Sequence, residues 1–230
     1  MSIRDIVKII SYSNEPFSGR IEAGELLGYH LKHLIDEHPV VVGIPRGGVI
    51  IAREIVHVID GELDVVLCRK IGAPRNPELA IGAVSEEGKL FLDERVSGVM
   101  DEKTPYIIRE KEKQMAEIER RKKMYREIKP KINLEGRTVI ITDDGVATGS
   151  TMKAAAWSIQ QENPEKIIIA LPVAPSESLD KLSDVADEII CLRTPRFFEA
   201  ISQFYSIFNQ VDDSKVLEIL KYEFVHSSGQ

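Results

Sequence analysis

Apolar positions in this chain follow two periodicities. Short β-branched runs with no polar alternation lie at residues 40–43, 63–68, 137–142, 166–171 and 188–192, as expected of parallel strands covered on both faces. Between them, helical spacing predicts helices over 18–35, 49–59, 148–161 and 177–183. The first carries Ile21, Leu26, Leu27, Leu31, Leu34 and Ile35 on one side and is stopped by Pro39. A further strand at 80–84 turns at Gly88 into a hairpin partner at 89–92. Strand and helix alternate through short turns, which predicts an α/β fold: a parallel sheet, helices on both faces, and a ligand site at the strands' C-terminal ends.

One segment breaks this rhythm. Residues 104–129 are dense in Lys, Arg and Glu, with Ile108, Met115, Ile118, Tyr125 and Ile128 as a narrow apolar stripe. That pattern predicts a long surface helix packed along one side. The run Arg120, Arg121, Lys122, Lys123 is read first as a solvated face, with an anionic ligand or another subunit as the functional alternative. The chain is read as a single domain over 1–230, with a helical insertion at 94–133 and a C-terminal helical or hood region at 193–230.

A formal net charge of −7 argues against non-specific nucleic-acid binding, so no nucleic-acid partner is expected. Cys68 and Cys191 each end an apolar strand and read as small buried hydrophobes. The N-terminus carries charges where a signal sequence needs an apolar run, and no stretch reaches membrane-spanning length. A cytoplasmic location without a membrane partner is the expectation.

The chemistry concentrates at residues 139–151, Val-Ile-Ile-Thr-Asp-Asp-Gly-Val-Ala-Thr-Gly-Ser-Thr. An apolar strand stops at two adjacent carboxylates, then a glycine- and hydroxyl-rich turn opens a helix, whose N-terminus favours a phosphate. Thr148, Ser150 and Thr151 offer hydroxyl donors, while Gly145 and Gly149 let the backbone curl. Asp143 and Asp144 would repel a bare anion but suit the vicinal hydroxyls of a ribose whose 5-phosphate fills the turn. Such turns also occur as plain helix caps. No lysine follows the glycine as in a Walker loop, and no Gly-x-Gly-x-x-Gly is present. Two other segments sit at strand ends. Val40 to Gly48 runs through Pro45-Arg46-Gly47-Gly48 into a helix, and Arg69-Lys70 opens a Pro- and Gly-punctuated loop, 71–79, read as a candidate lid.

In these motifs the chain resembles the type I phosphoribosyltransferases. It is most similar to a group marked by Pro-Arg-Gly-Gly, Arg-Lys-x-Gly-Ala-Pro-x-Asn-Pro-Glu-Leu and Asp-Asp-Gly-x-Ala-Thr-Gly. The resemblance covers almost the whole chain and implies the family fold with a small hood. It implies that Asp143 and Asp144 hold the ribose hydroxyls and, through ribose or water, a Mg²⁺ cofactor. Gly145, Val146, Ala147, Thr148, Gly149, Ser150 and Thr151 would then form the 5-phosphate loop. Pro45, Arg46, Gly47 and Gly48 would hold pyrophosphate, at a turn where an unusual cis peptide is common. Lys70, beside Arg69, would help neutralise the leaving group. The second lysine that adenine and orotate enzymes carry in the lid is absent, leaving Arg75 as the cation there, with Glu78 a candidate for orienting the acceptor. Phe197 and Phe198 stand where family members stack a nucleobase.

The implied activity is transfer of ribose 5-phosphate from phosphoribosyl pyrophosphate to a nitrogen acceptor, by a homodimer or higher homo-oligomer. A non-catalytic sensor of the same donor or of a nucleotide, and a hydrolase or phosphorylase using the same site, are the alternatives. The acceptor is not legible in the residues.

Overall fold

The computed structural model describes residues 6–98 and 100–227. Along the chain run β1 (Val7–Ser11), α1 (Arg20–Leu31), β2 (Val40–Gly43), α2 (Gly47–Ile59), β3 (Glu62–Val65), β4 (Arg69–Ala73), β5 (Asn76–Val84), β6 (Leu90–Leu92), α3 (Pro105–Arg126), β7 (Thr138–Thr142), α4 (Ser150–Gln160), β8 (Lys166–Val173), α5 (Ser176–Leu182), β9 (Glu188–Arg193) and α6 (Asp213–Ser227). Six strands form a parallel sheet in the order β1-β9-β8-β7-β2-β3, and β4-β5-β6 form a small antiparallel sheet.

The unalternated runs have a direct physical cause. Val40, Val42, Val139, Ile141, Ile169 and Ile189 face one core with Trp157 and Leu179. Val41, Ile140, Ile168 and Ile190 face the other with Leu27, Ile51 and Ile55. Helices on both faces leave no side of these strands to water, so both sets must be apolar.

Several elements depart from expectation. The helix expected over 18–35 begins only at Arg20, after an extended Gly19, and tightens into a 3₁₀ segment at Lys32–Glu37. The strand expected at 63–68 ends at Val65, and the chain leaves the main sheet to start β4. The expected lid is therefore a β-hairpin turning at Pro74-Arg75. It is tied down: Tyr106 of α3 donates to the Gly72 carbonyl at 2.8 Å, and Ser150 Oγ donates to the Glu78 carbonyl at 2.7 Å. Edge strand β1 lies outside the expected set. Its burial alternates, as suits an edge strand with one covered face, and it pairs with β9 alone.

The charged segment is a 22-residue helix opened by Thr104 with Pro105 at its first position, where a missing N–H costs nothing. Its buried positions are Ile107, Ile118 and Tyr125. Ile108, expected in the stripe, is 43% exposed, because the contact face keeps close to a whole number of turns from Ile107 to Ile118. Met115 and Ile128 pack partly against the core as expected. At the C-terminal end of α3, Arg126 reaches Asp64 of β3 at 2.5 Å and Glu86 at 2.8 Å, all three largely buried.

In the C-terminal region Ile201, Phe204, Tyr205 and Phe208 stand at helical spacing, which in the sequence predicts a helix buried against the domain, but only the 3₁₀ turn Ile201–Phe204 forms. Tyr205 is extended and bridges Phe17. The burial inferred for Phe204 and Tyr205 does hold, at 1% and 5% exposure.

Candidate active site

Strands β2 and β7 are neighbours with Gly43 opposite Thr142, so the turns after them leave the sheet side by side. The Ile44 amide donates to the Thr142 carbonyl at 2.9 Å, locking the two turns together. The Pro45–Arg46 peptide is cis. Gly47 and Gly48 are required by crowding. A Cβ on Gly47 would overlap Oδ2 of Asp144, and one on Gly48 would lie 2.7 Å from the Thr142 carbonyl oxygen.

The Gly48 amide donates to the Ile44 carbonyl at 3.1 Å, and Asp143 beside it accepts from the Asp144 amide at 2.8 Å. Burial, then the neighbouring Asp144 charge, pushes its carboxyl well above the usual carboxylate range. Burial raises Asp144 too, against the opposing pull of Arg20. Arg20, the first residue of α1, reaches Asp144 Oδ2 through Nε at 2.8 Å and Nη2 at 2.7 Å. Its guanidinium stacks 3.9 Å from the Phe208 ring centroid and donates to the Asn209 carbonyl at 2.9 Å. Tyr205 donates its hydroxyl to the Asp144 carbonyl at 2.6 Å. Arg20 and Tyr205 had no motif to reveal them: the arginine opens an ordinary helix and the tyrosine sits among core aromatics.

The turn from Gly145 to Thr151 curls onto the N-terminus of α4. Gly149 caps that helix with φ of 82°, a left-handed conformation open to glycine. Thr148 Oγ1 and Ser150 Oγ lie 3.2 Å apart, and the exposed Ala147, Thr148 and Thr151 rim the turn. Val146 differs: its side chain is buried and its amide is spent on the Val173 carbonyl, so it supports the loop from beneath. Unpaired amides at a helix start and flanking hydroxyls suit a phosphate.

Lys70 projects from β4 and pairs with Glu78 of β5 at 2.9 Å, while Arg69 donates to Gln114 of α3 at 3.0 Å. Both belong to a cavity of about 320 Å³ between the β4–β5 hairpin, α3 and the turn after β2. Its lining includes Pro45, Thr151 and Arg121. Arg75 stays exposed at the hairpin tip, outside that lining. Of the basic run in α3, Arg121 alone lines the cavity; Arg120 instead pairs with Glu117 and Asp213. Cys68 also lines it, but burial pushes its thiol up to about 12 and that of Cys191 up to about 11, leaving both as neutral, apolar groups at neutral pH.

The aromatic pair divides. Phe197 is 79% exposed, whereas Phe198 stacks on Phe204 with centroids 5.4 Å apart, as part of the packing. Neither lines the cavity.

A hard cation fits the donors present. Among the described residues no cluster of three or more His, Cys, Asp or Glu side chains could hold a metal. Asp143 and Asp144 form a two-carboxylate set, the kind Mg²⁺ uses when substrate oxygens and waters complete its shell. No helix among the described residues is long and apolar enough to cross a membrane.

The family described as "Phosphoribosyl transferase domain" matches residues 20–207. The fold and the two adjoining turns define the same class, and the chain belongs to the phosphoribosyltransferase family. It is 38% identical over 205 residues to "Putative phosphoribosyl transferase Rv0571c" of Mycobacterium tuberculosis strain H37Rv, and equally to its counterpart MT0597 in strain CDC 1551. That match covers 89% of this chain and 46% of each relative, so the chain spans about half their length. Among solved structures, TT1426 from Thermus thermophilus superposes with a TM-score of 0.85 at 42% identity, covering 90% of this chain and 98% of that one.

Proposed function

We propose that this protein uses phosphoribosyl pyrophosphate and Mg²⁺ to transfer ribose 5-phosphate to a nitrogen acceptor, with release of pyrophosphate. One observation carries the reading: the Asp143-Asp144 pair and the helix-capping phosphate turn stand beside the Pro45-Arg46-Gly47-Gly48 turn at one end of the sheet. A ribose 5-phosphate seated on the turn after β7 would lie next to the turn after β2.

In the reaction the acceptor nitrogen forms a bond to the anomeric carbon as the bond to the pyrophosphate oxygen breaks, and the nitrogen's proton passes to solvent or a base. Positive charge develops on the ribose and negative charge on the leaving oxygen. Asp143 and Asp144 accept the 2- and 3-hydroxyls and favour the cationic ring. The Gly47 amide, with Arg46 and Lys70, receives the leaving group at a turn that Gly48 keeps open by lacking a side chain. Asp143 and Asp144 would hold Mg²⁺ indirectly, and the ion would supply charge neutralisation for that group. Thr148, Gly149, Ser150 and Thr151 hold the 5-phosphate, and Arg20 fixes Asp144 before the donor arrives. Phe197 is the exposed ring of the pair after the last strand, and stacking of a planar acceptor on it belongs to this reading.

The test is pyrophosphate release from phosphoribosyl pyrophosphate and Mg²⁺, with and without a panel of purines, pyrimidines and small amines. Acceptor-dependent release is the expected result. Acceptor-independent release would instead mark a hydrolase, and tight donor binding with no release a sensor.

A further inference from the structure

We propose that α3 completes the pocket for the leaving pyrophosphate, with Arg121 and Lys113 as positioning residues that the hairpin and the turn after β2 do not supply. The inference rests on the transferase reading above and adds to it a subsite built by the insertion.

The cavity of about 320 Å³ is bounded by Pro45 on one side, Lys70 on a second and Thr151 on a third. It thus adjoins the turn after β2, the side from which the leaving group departs. Its fourth wall is α3, which contributes Lys113 and Arg121, so that with Arg69 and Lys70 the lining holds four cations, set against the three carboxylates Glu78, Glu110 and Glu117. Each cation is held loosely. Lys70 pairs with a Glu78 that is 75% exposed, Lys113 with Glu110 at 3.5 Å, and Arg69 with the neutral amide of Gln114. Exposed pairs of this kind contribute about 0–1 kcal/mol, so a polyanion exchanges for them readily.

Arg121 is the most telling. Its Nε is enclosed and has no hydrogen-bond partner; Glu117 Oε1, at 3.3 Å, balances its charge without a bond of good geometry. A guanidinium carries five N–H donors that one carboxylate at 3.3 Å does not satisfy, and with the side chain 20% exposed on the cavity wall donors remain for a ligand. A diphosphate, with many acceptor oxygens and a geometry suited to a guanidinium fork, is the chemical class that does so.

The test compares binding of Mg²⁺-pyrophosphate and of ribose 5-phosphate, by calorimetry, to the full chain and to Arg121→Gln, Arg121→Lys and Lys113→Gln. Arg121→Gln is expected to weaken pyrophosphate about tenfold or more while leaving ribose 5-phosphate within about twofold, and Arg121→Lys to restore part of the loss. Lys113 is 71% exposed on its side chain, so Lys113→Gln keeps the question open should Arg121→Gln fold poorly; a smaller loss in the same direction is expected. Unchanged pyrophosphate binding in the folded variants, with ribose 5-phosphate bound normally, overturns this inference alone. Failure of the unaltered chain to bind either ligand overturns the donor-site reading and this inference with it.

Discussion

Asp144 is held before any ligand arrives. Arg20 takes one of its oxygens, Tyr205 takes its carbonyl, and Gly47 leaves space for it only by lacking a side chain. Asp144→Asn keeps the shape and removes the charge, so donor affinity and turnover are expected to fall together by about ten- to a hundredfold, as for loss of a hydrogen bond to a charged group. Calorimetry with phosphoribosyl pyrophosphate beside a pyrophosphate-release assay measures both; an unchanged variant would remove Asp144 from the site. Asp143 supports a pH prediction. Its folded carboxyl titrates well above the ordinary 3.8, so the folded chain keeps a proton that the unfolded chain has already lost. Stability from this group is full below 3.8 and declines as pH rises through the raised folded value, and Asp143→Asn should flatten that decline in urea titrations. A donor that prefers the carboxylate should expel the proton on binding, seen as a buffer-dependent heat. Both acids and the capping turn were legible in the sequence because strand, carboxylates and glycines are contiguous. Arg20 and Tyr205 were not, because each reaches Asp144 across more than 60 residues of chain.

At the scale of elements, α3 shows what a stripe can and cannot specify. The sequence identified a long charged helix with one apolar side, yet it favoured Ile108 where Ile107 is buried, since adjacent isoleucines differ only by a rotation that packing decides. The loop reading of residues 71–79 missed a hairpin for a related reason: Pro and Gly mark turns, and a hairpin with bulges carries the same punctuation as a loop. What fixes α3 in place is Arg126 between Asp64 and Glu86. Arg126→Ala strands two buried carboxylates and is expected to cost about 3–5 kcal/mol in urea unfolding. Asp64→Asn with Glu86→Gln in the same chain should recover much of that loss, whereas an Arg126→Ala chain as stable as the parent would show that the network is dispensable.

Across the whole molecule, the sheet was readable because burial on both faces writes itself into continuous apolar runs. Edge strand β1 was less so, because it is half-exposed and its partner β9 lies far along the chain; in the second sheet the β5–β6 hairpin was legible from its turn at Gly88, whereas β4 was taken as loop. The second sheet docks through Phe91, whose ring lies 4.7 Å from that of Trp157 on α4. Trp157 is 2% exposed, so Trp157→Ala opens a cavity between sheet and helix. A loss of about 3–5 kcal/mol is expected, lowering the melting temperature by about 6–20 °C for a chain of this size. A shift under a degree would mean the two sheets are joined by other contacts.

The pairing of Gly43 with Thr142 gives strand length a chemical meaning. Both arms of the cleft start from the same rung of the ladder, so their spacing is set by counting residues rather than by any side chain. Deleting one residue within β7 would draw the paired aspartates back by about 3.3 Å and turn them toward the opposite layer. The side chains on the two turns do the chemistry, but the two rails beneath them must be cut to equal length.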